Sequence, residues 1–407
     1  MGFIGSYVIF LCYICTISFT THPIIMSIRG QVKGLYNGVL RLPSALSDWV
    51  VLSGSDRAAS AFMKRFPQPE LTAADKRAID EFWRPYGVGF RDYRWHQMYY
   101  GVTGLHDPSF VPDPIARFAL FRHYNDEKSI PGWDDKNLYE FFLPDIRFPK
   151  TLAHIYHNGI YDKDWKHYSL DELPPFSKAI YDELGEDKSL VIKVTKGSYA
   201  GKGVRLIHAK SPDDIKDLLL ESIGGNFIVQ ERIFQSDFMS QFCKTSVNIF
   251  RIITWKHEGE VKVLSSSIRF GLEGYFTDVC YIDGEEIVNV VGVEKDGTVK
   301  EQYGSFRGLT DISVDLHERV SPRFDDIIAI AKQGHERLHP FGIVGWDFTL
   351  NQENEPICIE FNVSVPGTIL YQYANGPFGG DHTEELLAFL LDKNNTKKYI
   401  PKRYRIK

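Results

Sequence analysis

Cysteine is scarce in this sequence, with only 5 among 407 residues. Cys12 and Cys15 lie in an apolar N-terminal stretch, and Cys243, Cys280 and Cys358 are scattered through the second half. The first two have the spacing of a redox motif, but no strand–helix–strand pattern surrounds them, so we interpret them as hydrophobic filler. Without a disulfide framework, the sequence excludes a small secreted scaffold and predicts a reducing, cytoplasmic compartment.

Neither sign of charge dominates, because 47 Lys and Arg oppose 53 Asp and Glu for a net charge of −6. A protein without a basic field is not expected to bind nucleic acid, so any anion must be held by locally placed lysines and arginines. With 43% hydrophobic and 14% aromatic residues and no repeats, the chain predicts a globular protein of two or three domains.

Long hydrophobic runs are also lacking, apart from residues 3–20, FIGSYVIFLCYICTISFT. This run is barely long enough to span a bilayer, and no basic segment precedes it, which argues against a cleaved signal peptide. Basic residues follow it at Arg29 and Lys33, so an anchor here would leave the rest in the cytoplasm. The alternatives for residues 1–26 are an over-extended start with Met26 as the first residue, or myristoylation at MGFIGS.

A glycine-rich segment joins two apolar runs in SLVIKVTKGSYAGKGVRLI, residues 189–207. It is not a P-loop, because three residues instead of four separate Gly197 from Gly201, Gly203 replaces the hydroxyl residue, and a strand follows instead of a helix. A hairpin flap fits better, in which backbone N–H groups close over an anion and Lys193 contacts the same ligand. The alternative is an ordinary surface hairpin.

Hydrophobic periodicity predicts an α+β fold with antiparallel strand pairs. Thr72 and Asp75 form a helix cap in LTAADKRAIDEFW, so a helical accessory region, residues 27–125, precedes the main domain, residues 126–392. Residues 100–188 read as short helices and loops, and the basic tail, residues 393–407, as a solvated terminus. Helices are predicted at 211–222 and 322–338, and strands at 189–195, 203–208, 226–231, 246–256, 260–270, 342–350 and 355–361.

Acidic residues interrupt two late apolar strands, GIVGWDFTL and EPICIEFNVSVPG, which are joined by the turn NQEN. Glu360 and Asn362 share a face because side chains two apart point the same way, and Asp347 joins them if the strands pair. Oxygen ligands of this kind suit Mg²⁺. The alternative is an exposed acidic sheet face, which the flanking Trp346 and Phe361 argue against.

Arginines occupy two other strands, with Arg251 in SVNIFRIITW and Arg269 in SSSIRFG. A guanidinium suits phosphate or carboxylate, although a buried arginine can equally form a structural ion pair. Between these strands and the flap lies FIVQERI, a buried strand whose polar end could read adenine through its backbone.

The ordered set of motifs resembles the ATP-grasp superfamily, and more narrowly its sugar-transfer-associated group, also called hexapeptide-transferase-like and related to alpha-L-glutamate ligases. The matching segments are DDKNLYEFFLP, IKVTKGSYAGKGV, IVQERI, SVNIFRIIT, IRFG, VGWDFTL and IEFNVSVPG, which extend the resemblance over about residues 70–390. One departure is that Val279 follows Asp278 where the family pattern leads us to expect Asn, which affects the acceptor loop.

The resemblance implies a role for each matched residue. Lys136 and Lys193 would contact the ATP phosphates, Arg251 and Arg269 would face the γ-phosphate or acceptor, and one or two Mg²⁺ ions, or Mn²⁺, would be bound. The implied flap residues are Gly197, Ser198, Gly201 and Gly203; the adenine hinge is Gln230, Glu231, Arg232 and Ile233; the metal ligands are Asp347, Glu360 and Asn362.

The fold implied by the resemblance consists of two α+β subdomains that clamp ATP. The implied activity is a carboxylate–amine ligase, which forms an acyl phosphate from ATP and then an amide, in cell-surface polysaccharide synthesis. The partners would be a small-molecule carboxylate, such as a uronic acid or sugar conjugate, and an amine. Two alternatives remain open: a kinase that phosphorylates a sugar hydroxyl, and a nucleotide-binding scaffold without turnover.

Overall fold

The computed structural model describes residues 44–64, 68–197, 201–282, 285–305, 308–311 and 316–406. The expectations for residues 1–26, including an anchor at 3–20, therefore lie outside the described residues. None of the described helices combines the length and hydropathy needed to span a bilayer. The chain divides into two units, residues 1–61 with 281–286, and residues 62–280 with 287–407.

Three helices and a series of short helical turns precede the first sheet. Thr72 caps the second helix as predicted, because its hydroxyl accepts from Asp75 N–H at 3.1 Å while the Asp75 carboxylate accepts from Thr72 N–H at 2.8 Å. The buried side chains of Ile79 and Trp83 hold this helix against the fold. The helices are α1, Ser44–Met63; α2, Ala73–Trp83; and α3, Arg94–Thr103; the turns lie at Asp113–Ile115, Ala116–Phe121, Arg122–Tyr124, Ile130–Trp133, Lys136–Leu138 and Tyr139–Phe142.

A six-stranded antiparallel sheet follows, in the order β3-β2-β1-β6-β4-β5. Helices α4, Leu173–Glu183, and α5, Pro212–Glu221, contribute Phe176, Ile180 and Leu219 to the apolar core of this sheet. The strands are β1, Thr151–Tyr156; β2, Gly159–Tyr161; β3, His167–Tyr168; β4, Ser189–Val194; β5, Val204–His208; and β6, Asn226–Glu231.

The expectation of only short helices and loops in residues 100–188 is wrong for part of that range. Strand β1 is a central strand, paired antiparallel with both β2 and β6, and α4 is a regular helix. The sequence of β1, TLAHIY, is buried at its first five positions, so the alternation of polar and apolar residues that marks a half-exposed strand is missing. Prolines and acidic residues surround this short strand, so it was not recognised from the sequence.

The second sheet has seven strands in the order β13-β12-β11-β8-β7-β14-β15. Helix α6, Phe324–Arg337, packs its buried Phe324, Ile327 and Ala331 against this sheet, as the apolar period predicted. The strands are β7, Ile249–His257; β8, Glu260–Phe270; β11, Asn289–Val293; β12, Val299–Ser305; β13, Gly308–Asp311; β14, Ile343–Leu350; and β15, Pro356–Asn362; a separate pair is β9, Cys280–Ile282, with β10, Glu285–Ile287.

All the strands predicted from residue 189 onward are confirmed, and the mixture of helices with antiparallel sheets confirms the α+β class. The second sheet is followed by α7, Ile369–Asn375, and α8, Lys393–Tyr399, with short helical turns at Gly380–His382, Thr383–Leu387, Ala388–Leu391 and Lys402–Tyr404.

The prediction of a solvated C-terminal tail is wrong. Ile400 is fully buried and Tyr404 is 8% exposed. The Tyr404 carbonyl accepts from Gly89 N–H at 2.8 Å, so the tail is fixed to the segment after α2. The physical reason is that the apolar residues among the basic ones in KKYIPKRYRIK can be buried while the charged groups stay at the surface.

Candidate active site

One cleft is lined by residues of both sheets. The first sheet contributes Lys193 on β4 and, from the flap, Gly201, while the second contributes the arginines and acids of β7, β8, β14 and β15. Lys136, in the helical turn before β1, completes the charged lining. The cleft is lined by Lys136, Pro149, Val191, Lys193, Gly201, Lys202, Val204, Glu231, Ile233, Val247, Ile249, Arg251, Arg269, Phe276, Thr277, Asp278, Asp347, Ile359, Glu360, Asn362, Val365, Pro366, Gly367 and Tyr371.

The predicted pairing of the acidic strands is present. Asp347 on β14 lies directly opposite Glu360 on β15, and the register shifts after Asp347. The amide nitrogen of Asn362 is 3.4 Å from Asp347 Oδ2 and 3.5 Å from Glu360 Oε1, so the three side chains form one cluster. Asp347 is 1% exposed, which rules out the alternative of an exposed acidic face for this residue.

Arg251 forms a buried two-pronged ion pair with Asp347. Its Nε and Nη2 donate to the two carboxylate oxygens, the second at 2.9 Å, while Nη1 donates to the Pro366 carbonyl at 2.6 Å. Both side chains are at most 5% exposed. Of the two uses considered for this arginine, the structural ion pair is the one present in this conformation, and it orients Asp347.

Arg269 extends this pair into a chain of charges. Its Nε donates to Asp278 at 2.6 Å, and its Nη2 lies 3.5 Å from Asp347 Oδ2. Its Nη1 donates to the Tyr371 hydroxyl at 3.4 Å. The chain Asp278–Arg269–Asp347–Arg251 therefore connects the loop after β8 with the acidic cluster, even though Val279 stands where Asn was expected.

Glu360 is paired with Lys136, whose Nζ is 3.2 Å from Glu360 Oε2. Burial acts to raise the pKa of Glu360, but Lys136, Arg251 and Arg269 outweigh it and lower the pKa to about 2. Burial also raises the pKa of Asp347 to about 6, with both arginines opposing that rise.

Lys193 has no ion pair within the described part of the chain, whereas Lys136, Arg251 and Arg269 each have one. Its side chain is 8% exposed and lines the cleft from β4. Burial lowers its pKa to about 8, and Lys136 adds to the lowering while Glu360 opposes it. A buried ammonium without a counter-ion is costly, so this position is suited to an anionic ligand.

The flap glycines adopt the left-handed conformations that glycine permits. Gly197, Gly201 and Gly203 have φ of +61°, +68° and +81°. Gly201 lies against the side chain of Thr277, which a Cβ at Gly201 would approach to 3.1 Å. Gly201 lines the cleft, whereas Gly197 donates its N–H to Asp134. Ser198, the fourth predicted flap residue, lies outside the described residues.

The hinge segment is divided between three environments. Glu231 and Ile233 line the cleft, and Gln230 lies beside a small neighbouring pocket, where its amide donates to the Pro149 carbonyl at 3.1 Å. The Arg232 side chain does not line the cleft, because it forms an ion pair with Asp187 at 3.0 Å. Any part that Arg232 has in a ligand site is therefore confined to its backbone.

The acidic cluster fits a hard cation in its chemistry. Within the described residues no group of three His, Cys, Asp or Glu side chains forms a metal site, so the donor set is two carboxylates and one amide. Oxygen donors with few protein ligands are typical of Mg²⁺, which keeps several waters. The Asn362 side chain lies within 3.5 Å of both carboxylates, which supports Asp347, Glu360 and Asn362 as the residues that would hold the ion.

Sequence reasoning missed several members of the site. Tyr371, on α7, and Pro366 contact the arginines from the chain that follows β15; Pro366 lies in the quoted segment IEFNVSVPG, whereas nothing in the local sequence marks Tyr371. Asp135 lies in the quoted DDKN motif and pairs with Lys196 at 3.1 Å, so an acid beside the matched lysine was the available signal. For Thr277, the only sequence signal that could have marked it as a cleft residue was its position next to Asp278.

Comparison with known proteins gives one family and several similar structures. D-alanyl-alanine synthetase A from Vibrio cholerae is 13% identical with a TM-score of 0.38, over 66% of this chain and 67% of that one. VanG D-Ala:D-Ser ligase from Enterococcus faecalis is 15% identical with a TM-score of 0.39, over 66% and 64%. The ATP-grasp ligase PsnB, complexed with a minimal precursor, is 13% identical with a TM-score of 0.38, over 65% and 62%.

The chain thus spans about two thirds of the length of these structures. No curated protein matches the sequence. The family model described as sugar-transfer associated ATP-grasp matches residues 116–379, which is more than half of the chain and includes every residue of the cleft. The chain belongs to the sugar-transfer associated ATP-grasp family.

Proposed function

We propose that this protein is an ATP- and Mg²⁺-dependent ligase that activates a carboxylate as an acyl phosphate and transfers the acyl group to an amine. The observation that carries the proposal is the buried, unpaired ammonium of Lys193, which lies in one cleft with the acidic cluster Asp347, Glu360 and Asn362. The ammonium on one wall suits a phosphate, and the carboxylates on the other suit a metal ion. The cleft as a whole therefore suits a metal–nucleotide substrate.

The ATP-binding residues follow from these positions. Lys193 and Lys136 would neutralise phosphate charge, and the flap around Gly201 would close over the phosphates with its backbone N–H groups. Glu231 and Ile233, which line the cleft at the end of β6, support an adenine site at that end. Asp347, Glu360 and Asn362 would hold Mg²⁺, which when bound would supply positive charge to the phosphate oxygens.

The reaction has two steps. A carboxylate oxygen of the acceptor forms a bond to the γ-phosphorus as the bond between that phosphorus and the β–γ bridging oxygen breaks, and ADP leaves. The amine nitrogen then forms a bond to the acyl carbon, phosphate leaves, and the nitrogen loses a proton. Arg269 lines the cleft beside Asp278 and Tyr371, which supports a role for it toward the γ-phosphate or the acceptor.

The acceptor class is proposed from the family alone. A sugar-transfer associated family supports a uronic acid or another sugar-linked carboxylate, and hence a role in cell-surface polysaccharide synthesis. The scattered buried thiols support action in the cytoplasm.

Glu360→Gln tests the proposal. It keeps the size of the side chain but removes a full charge from the metal ligands, so phosphate release with a panel of uronic acids and amines should fall by roughly 100-fold or more. Nucleotide binding, measured by calorimetry, should remain because the hinge is untouched. Asn362→Asp is the matched control, since it retains an oxygen at the cluster and should lose far less activity.

Three outcomes would contradict the ligase. Turnover of ATP by Glu360→Gln at the wild-type rate would remove Glu360 from the metal site. Formation of ADP and a phosphorylated sugar without free phosphate would establish a kinase instead. Nucleotide binding without turnover on any acceptor would favour the scaffold.

A further inference from the structure

A second cleft lies on the accessory side of the fold, where the C-terminal tail packs against the segment that follows α2. It contains four arginines, although the proposed reaction uses none of them. The residues that line it are Asp80, Arg84, Val88, Gly89, Phe90, Arg91, Arg403, Arg405 and Ile406. This second cleft shares no lining residue with the candidate active site.

Two segments more than 300 residues apart in sequence form this cleft. A short antiparallel ladder joins them. Val88 and Arg405 form an antiparallel bridge, and Ile406 N–H donates to the Gly87 carbonyl at 3.2 Å. Arg405 is also held by its own guanidinium, whose Nε donates to the Ile400 carbonyl at 2.7 Å. Arg405 is therefore fixed beside the accessory region, and Arg403 lines the same cleft from the tail.

The charge of the cleft is unbalanced. Among the described residues that line it, four are arginines and one, Asp80, carries a carboxylate, which also accepts a hydrogen bond from the Tyr93 hydroxyl at 2.9 Å. Arg84 and Arg91 are exposed, and within the described part of the chain neither has an ion pair. The protein as a whole has a net charge of −6, so this concentration of positive charge is local and not a consequence of composition.

We propose that this second cleft binds a phosphate-bearing anion. Converging like charges repel, and a multiply charged anion would relieve that repulsion, whereas a carboxylate brings only one charge. Guanidinium forks match phosphate oxygens in geometry, and apolar residues, Val88, Phe90 and Ile406, line the same cleft beside the charges. The phosphate could belong to a soluble phosphoester or to a lipid headgroup, and the experiment separates these sources.

The test is calorimetric titration of the full chain with inorganic pyrophosphate. The double variant Arg84→Gln/Arg91→Gln should lose one binding site or weaken it at least about 10-fold, and should remain folded because both side chains are exposed. The charge-matched control is Lys163→Gln/Lys178→Gln, at lysines with 58% and 65% exposed side chains, which should bind as the wild type does. Rising salt should weaken the site.

A parallel arm uses vesicles of phosphatidylglycerol, with phosphatidylcholine vesicles as reference. Arginine-dependent sedimentation with the anionic vesicles would support a lipid phosphate, and arginine-dependent binding of pyrophosphate alone would support a soluble ligand. Unchanged pyrophosphate stoichiometry and affinity in Arg84→Gln/Arg91→Gln would overturn the proposal. So would binding that disappears in Lys193→Met but not in the arginine variant, because that result would place all binding in the candidate active site.

Discussion

The two sheets that line the candidate active site differ in how their buried charges are paired. On the seven-stranded sheet, Arg251, Asp347, Arg269 and Asp278 form a continuous chain of ion pairs. On the six-stranded sheet, Lys193 is equally buried and has no ion pair within the described residues. The charges of one wall are therefore paired within the protein, while the other wall carries an ammonium without an ion pair, which a ligand phosphate could pair with.

This difference means that the two walls should respond in opposite directions when a buried charge is removed. Loss of a member of the paired chain leaves its partner uncompensated, whereas loss of the unpaired lysine removes a desolvation cost. The predictions that follow test that contrast, beginning with the largest expected effect.

Asp347→Ala should lower the free energy of unfolding by about 3–5 kcal/mol, because it leaves the Arg251 guanidinium buried without a counter-ion. The measurement is urea unfolding followed by circular dichroism. The control is Glu355→Gln, which breaks the exposed pair of Glu355 with Arg147, whose side chains are 49% and 56% exposed, and should cost about 0–1 kcal/mol. Equal effects of the two variants would mean that the buried chain contributes no more than a surface pair.

Lys193→Met should stabilise the protein at pH 7 by about 3 kcal/mol and abolish tight nucleotide binding. In the folded protein the Lys193 pKa is about 8, against an ordinary value of 10.5, so between these values the unfolded chain holds the extra proton. Wild-type stability therefore rises with pH across that window, and the advantage of the variant should shrink from pH 8 to pH 10.5.

The matched control is Lys178→Met, because the Lys178 side chain is 65% exposed and its removal should change stability by less than about 0.5 kcal/mol. If Lys193→Met destabilised the protein at pH 7, the ammonium would have a favourable partner, and the contrast between the two sheets would fail.

Buried histidines supply a smaller, acid-dependent effect on both sheets. Burial lowers the pKa of His335, which packs beside β7, and of His154, on β1, to about 4 from an ordinary value of 6.5. Between those values the unfolded chain binds the proton, so stability falls as the pH falls from 6.5 towards 4. Each histidine should remove about 2 kcal/mol between pH 7 and pH 5.

His335→Gln should therefore flatten the pH dependence of the unfolding free energy over that range, whatever it does to stability at pH 7. The neighbouring exposed His339→Gln serves as the control and should leave the slope unchanged. An unchanged slope in His335→Gln would show that the histidine is not the titrating group.

Much of the second half of the fold could be read directly from the sequence. The strand periodicity from residue 189 onward, the glycine flap and the turn NQEN each depend on neighbouring residues, so they survive without knowledge of the tertiary structure. The same local rule placed Glu360 and Asn362 on one face and, through the hairpin, brought Asp347 beside them. The ATP-grasp family followed from the order of these motifs and is confirmed.

The remainder depends on contacts between distant segments. Whether Arg251 contacts a ligand or an acid was open in the sequence, and the register of β7 against β14, which sets Arg251 opposite Asp347, decided it. The burial of β1 and the folding of the tail onto Gly89 likewise depend on partners at long range. Periodicity and turn chemistry are properties of a few adjacent residues, so the sequence alone determined the hairpins β4–β5 and β14–β15 and the α+β class, but not the strands between residues 280 and 311. The partner of each buried charge is chosen only when chain segments far apart meet, so the tertiary structure alone decided that Arg251 is paired, that Lys193 is not, and that the tail arginines form a second cleft.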